Sequence, residues 1–290
     1  MTFNEGGSFE GGRVRTRKGG AVAGGGIGIL AIAAFLIYQF TGVDLSGAVS
    51  TVEGGQGSQE EGVVAQCSSA DANADRECRL SATTQSLDAF WATQFDAASA
   101  PALPGVVSFD GQTSTGCGAA SSSTGPFYCP PDQTIYIDLA FFDLLQSQYG
   151  ASGGALAEEY VVAHEYGHHI QQITGVMDTA DRQGTGPESD SVRVELQADC
   201  YAGLWAGAAA TTVDPDTGLT FLDPITDAEL ADALSAAQAV GDDHIQAESG
   251  MGVNQESWTH GSSEQRQRWF TAGYEATSPD VCDTFAAAEL

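Results

Sequence analysis

Lysine is almost missing from this chain. Lys18 is the only one, and it belongs to ten basic residues set against 39 acidic ones in 290 positions. Arg13, Arg15, Arg17 and Lys18 all stand ahead of the first long apolar run. Beyond them six arginines face 37 carboxylates. A surface so poor in cations repels phosphate backbones, so a nucleic-acid partner is excluded. No C-x2-C spacing occurs, which removes the usual thiolate zinc sites. No twin arginine precedes the apolar run, and no internal repeat is visible. The 42% share of hydrophobic residues excludes a chain disordered by composition.

What is present begins with that apolar run. Gly19–Val43 carries no charge, and Ala21–Phe40 matches the roughly 20 helical residues that cross a bilayer. Basic residues before such a span are retained inside, so the expectation is a single-pass cell-membrane anchor with a cytoplasmic N-terminus and an extracytoplasmic body. A cleaved signal peptide is the rival reading, with Ser46-Gly47-Ala48 as a small-x-small site. The expected divisions are a basic tail at 1–18, the transmembrane helix at 19–43, a flexible Gly/Ser/Glu linker at 44–62 and a folded domain at 63–290. All six cysteines follow the apolar run, which suits three disulfides in an exported domain. Local closure suggests Cys67–Cys78 and Cys117–Cys129, leaving Cys200–Cys282.

Hydrophobic periodicity predicts helices at 80–97, 139–149, 155–173, 190–210, 227–240 and 263–276, with Asp227 and Ser263 as N-caps. Short strands are predicted at 106–109 and 134–137. A few strands followed by many helices give an α+β class, helix-rich with a small β-sheet.

The chemistry concentrates in His164-Glu165-Tyr166-Gly167-His168. Residues four apart on a helix are about 400° apart, so both imidazoles share one face. That arrangement supplies two ligands for tetrahedral Zn2+ and sets the Glu165 carboxylate beside them as a general base. Ala163 and Gly167 are small, which leaves room for metal and substrate. The plain alternative is a helix with two surface histidines. A catalytic zinc needs a third protein ligand, and no histidine follows at the metzincin spacing. Glu195-Leu-Gln-Ala-Asp199 provides a second pair four apart, in an apolar helix where buried carboxylates need partners. Glu195 is therefore the expected third ligand. Asp199 is placed behind it, to fix the tautomer of a ligand histidine.

HEYGHHIQ followed by ELQADCYAG resembles the bacterial neutral zinc metallopeptidase family marked by its HEYGHH motif. Gly125-Pro-Phe-Tyr-Cys-Pro130, Ile135-Tyr-Ile-Asp138 and Thr259-His-Gly-Ser-Ser-Glu-Gln-Arg266 also look like that family. The resemblance covers roughly 63–290 and the anchor in outline. It implies a zincin-like fold, with His164, His168 and Glu195 on one zinc and Glu165 catalytic. The Glu-then-Asp order is also similar to gluzincins such as thermolysin. The function expected is zinc-dependent hydrolysis of peptide bonds in a peptide or protein substrate, with that substrate extended along a sheet edge near 134–137. The alternative is an inactive, zinc-stabilised binding or scaffold domain at the cell surface. Transition-state charge on the scissile carbonyl calls for a further donor. His260, in a Gly-containing turn before a helix, is the first choice and Tyr201 the second.

Overall fold

The computed structural model describes residues 2–18, 60–95, 102–122, 124–250 and 252–290. The chain is mixed α+β, as its periodicity predicts. Strands β1 (Ser8–Phe9), β2 (Arg15–Lys18), β3 (Glu60–Val63) and β4 (Cys67–Ser68) precede helices α1 (Ser69–Ala74) and α2 (Arg76–Gln94). Strands β5 (Gly105–Asp110), β6 (Gln112–Thr115), β7 (Gly118–Ser121), β8 (Phe127–Cys129) and β9 (Thr134–Asp138) follow. The rest is helical: α3 (Phe141–Ser147), α4 (Ala155–Ile173), α5 (Val176–Thr179), α6 (Asp190–Ala208), α7 (Asp227–Ala239), α8 (Asp242–Glu248) and α9 (Ser263–Tyr274). The caps of α7 and α9 fall one residue earlier than expected, at Thr226 and Ser262. Each has a partner three residues on, Glu229 or Gln265, which closes a capping box and decides the start.

The central sheet has the order β3-β2-β5-β9-β8. Strands β2, β5 and β9 run parallel, while β3 and β8 pair antiparallel at the two edges. The strand at 134–138 is therefore interior, flanked by β5 and β8, and its backbone has no edge to offer a substrate. The edge next to it is β8.

The boundary expected at residue 63 does not hold. Residues 2–18 form no separate tail, because β2 sits inside the sheet and pairs with β5 from Arg15↔Val107 to Lys18↔Asp110. Phe3, Phe9 and Val14 are buried in the main core. The end of the expected linker, from Glu60, is strand β3. The transmembrane span expected at 19–43 lies outside the described residues. Among the described residues, no helix is long and apolar enough to cross a membrane.

The functional half is set by close helix contacts. A Cβ on Gly203 would stand 2.0 Å from the Phe270 carbonyl oxygen, and one on Gly273 would stand 1.9 Å from that of Cys200. Only glycine lets α6 and α9 approach so closely. Gly167 plays the same part between α4 and α6, since its Cβ would meet the Ala198 Cα at 3.1 Å. Its small size serves helix packing more than room for a substrate. The bonds Cys67–Cys78, Cys117–Cys129 and Cys200–Cys282 are all formed.

Candidate metal centre

Helix α4 is buried along most of its length, and it brings His164 and His168 to one face with ring centroids 4.7 Å apart. Glu195 approaches from α6: Oε2 lies 3.3 Å from His164 Nε2 and Oε1 lies 3.4 Å from His168 Nε2. Ligand atoms of the three residues all fall within 4.8 Å of one another. The two carboxylate oxygens thus face two imidazole nitrogens, and Glu195 Oε1 has no hydrogen-bond partner among the described residues. Two imidazoles, one carboxylate and an orphaned buried acceptor fit a zinc ion.

Both histidines are held from behind. His164 Nδ1 lies 2.8 Å from Asp199 Oδ1, and His168 Nδ1 lies 2.8 Å from Gln171 Oε1. Gln171 in turn donates to the Val194 carbonyl at 2.7 Å. These contacts leave both Nε2 atoms facing the metal position. Asp199 is fully buried yet stays acidic, because Arg266 and His164 outweigh the cost of burial. Arg266 reaches it twice, Nε to Oδ2 at 2.8 Å and Nη2 to Oδ1 at 2.9 Å. Tyr160 also donates to Asp199 Oδ1, at 2.6 Å.

Glu165 is buried beside the triad, and burial pushes its carboxyl upward despite the opposing pull of His168 and His164. A backbone hydrogen bond from Tyr128 on β8 also steadies it. His260 lines the same cavity of about 140 Å³ as the triad and Glu165. Its Nδ1 sits 3.1 Å from Asp242 Oδ1. Asp242 Oδ2 meanwhile accepts the backbone amides of Thr259, His260 and Gly261 at 2.8, 2.7 and 3.0 Å. Burial works against a charged His260, but Asp242 outweighs it and the net shift is upward.

Tyr201 is not near this cavity. Six residues beyond Glu195 on the same helix, it has turned well away from the metal face. It lines a separate cavity with Trp91 and Phe95. Sequence reasoning missed Arg266, Tyr160, Gln171 and Asp242. Tyr160 stands four before His164 and Gln171 three after His168, so helical spacing alone could have nominated both.

Residues 3–285 match the family described as "Putative neutral zinc metallopeptidase". The chain is 51% identical over 233 residues to the uncharacterized protein Rv2575 of Mycobacterium tuberculosis, covering 78% of this chain and 77% of that one. It is 38% identical over 264 residues to the uncharacterized protein YpfJ of Escherichia coli K12, covering 89% and 86%. No solved structure matches. With that match spanning nearly the whole chain around the His164–His168–Glu195 cluster, the chain belongs to the putative neutral zinc metallopeptidase family.

Proposed function

We propose that the protein is a zincin-like peptidase that hydrolyses peptide bonds, with His164, His168 and Glu195 holding one zinc and Glu165 acting as general base. The observation that carries this reading is Glu165 itself. A structural zinc has no use for an additional buried carboxylate opening into the same cavity as its ligands. No fourth His, Cys, Asp or Glu joins the cluster among the described residues, which argues against the closed site of a scaffold domain. Bound zinc supplies Lewis acidity to the attacking water and to the scissile carbonyl. Glu165 takes the proton of that water and returns it to the leaving amine, a transfer suited by its raised pKa. His260, whose protonated form the neighbouring Asp242 favours against the cost of burial, is the donor to the developing oxyanion.

The surroundings favour an extended peptide carrying a large apolar side chain. Strand β8 is an edge of the sheet and touches Glu165, so a substrate strand adds beside it. Phe141, Tyr149, Val161, Val240 and Ile245 give the cavity lining an apolar part. The test is Glu165→Gln in the full-length protein, assayed on peptides with apolar residues flanking the bond. Zinc content is expected to stay at one per chain while turnover falls by roughly 10²–10⁴-fold. Wild-type rates with zinc retained overturn the mechanism.

A further inference from the structure

Strand β2 occupies the inside of the central sheet, and that position constrains how the chain can meet a membrane. Its two neighbours come from the body: β5 on one side and β3 on the other. Arg15 pairs with Val63 and Lys18 with Glu60, so the chain leaves the sheet at Lys18 and returns beside it at Glu60. Paired strands lie ~4.8 Å apart, whereas a bilayer hydrocarbon core is ~30 Å thick. No bilayer fits between partners in one sheet.

The attachment extends well beyond that strand. Asn4 donates from its backbone to the Phe221 carbonyl at 3.0 Å, and Phe9 stacks on Phe221 at 6.2 Å. Arg13 grips Asp88 at 2.6 and 2.9 Å, and Asp88 also accepts from Tyr166 of the zinc-binding helix. Arg17 and Lys18 approach Glu61 and Glu77, both at 3.4 Å. Three of the four basic residues that read as a cytoplasmic retention signal are thus paired with carboxylates of the body.

We infer that residues 2–18 and 60–290 lie on the same side of any membrane the chain touches. One helical crossing takes about 20 residues, so the 25 uncharged residues of Gly19–Val43 are too few for two. This inference stands independently of the peptidase reading, since it uses no residue of the metal cavity.

The test is site-directed labelling of the full chain in spheroplasts. Glu10→Cys and Asp216→Cys place single new thiols at exposed positions of the N-terminal segment and of the body. A membrane-impermeant maleimide is applied before and after permeabilisation. The inference expects both positions to label together, either both from outside or both only once the membrane is opened. Labelling of Asp216→Cys from outside, with Glu10→Cys protected until permeabilisation, overturns it. A second variant reads the pairing directly. Arg17→Cys with Glu61→Cys puts two thiols at register partners, and non-reducing mass mapping of the membrane-extracted protein is expected to find them cross-linked. A protein in which the native bridges form and this one does not also overturns the inference.

Discussion

The helical half and the sheet half of this molecule hold together in different ways. In the helical half each element is one contiguous run with its own periodicity, and α4, α6 and α9 carry the candidate ligands and the groups behind them. In the sheet half neighbouring strands come from residues 15–18, 60–63, 105–110 and 134–138, so partners lie up to about ninety positions apart. Local pattern specifies the first half, while pairing across long loops specifies the second. Damage to the sheet should therefore cost the fold, and damage to the helical face should cost the site.

The largest effect expected is from deleting residues 2–18. The deletion strips Phe3, Phe9 and Val14 from the core and leaves β5 without its parallel neighbour. Burying three such side chains is worth roughly 1.5–3 kcal/mol each, a large part of the 5–15 kcal/mol that typically stabilises a domain. The truncated protein should show no cooperative thermal transition by circular dichroism. Removing 19–59 and joining Lys18 to Glu60 through Asn-Gly should instead leave a folded, soluble domain, because those two residues already face each other as a hairpin would. If the first variant melts like the intact protein, the sheet does not depend on its N-terminal strand.

What the sequence showed and hid follows the same division. His164 and His168 are legible because a four-residue spacing has one meaning on a helix. Glu195 and Asp199 are legible because apolar neighbours announce that their carboxylates are buried. Arg266 is not, since its role depends on α6 and α9 meeting through Gly203 and Gly273, seventy positions apart. Strand β2, Arg-Thr-Arg-Lys, is hidden for a related reason. Only Thr16 in it is buried, so nothing apolar alternates and the run reads as a solvated tail. Its strand character comes from hydrogen bonds to partners that the sequence does not identify.

A second expected effect lies inside the helical half, where one carboxylate departs from its neighbours. Glu158 is met by Arg76 at 2.7 Å and by Arg79 at 2.6 Å. Glu159 beside it is 1% exposed, and neither of its oxygens has a hydrogen-bond partner among the described residues. Burial pushes its pKa up to about 7, against the pull of nearby cations including Arg79. Because the folded value lies above the unfolded one near 4.5, the unfolded state gives up its proton first. Stability from this group is unaffected below pH 4.5, falls as pH rises to 7, and is lower by on the order of 3 kcal/mol beyond that. Glu159→Gln should therefore unfold at higher urea than the parent at pH 8, with the gap closing by pH 4.5. An equal gap at both pH values would show that the gain has nothing to do with ionisation.

The smallest expected effect falls on the metal, and it separates the site from the fold. Asp199→Asn keeps the shape of the group that holds His164 Nδ1 but removes its charge. Arg266 then stays buried, with Glu195 Oε2 at 3.9 Å as its nearest remaining carboxylate. An uncompensated cation that close to a ligand competes with zinc for Glu195, and loss of the carboxylate also loosens the imidazole. Zinc affinity should fall by about 10–100-fold, measured by competition with a chelating dye. Adding Arg266→Met to that variant removes the stranded cation and should recover part of the loss. The two changes are therefore non-additive, as expected of groups sharing one network. Melting temperature in the presence of chelator should separate the two halves again: the tail deletion abolishes the transition, whereas these variants retain it. If Asp199→Asn binds zinc as tightly as the parent, Asp199 serves helix packing alone. If the double variant binds more weakly than the single one, Arg266 supports the metal through something other than its hold on Asp199.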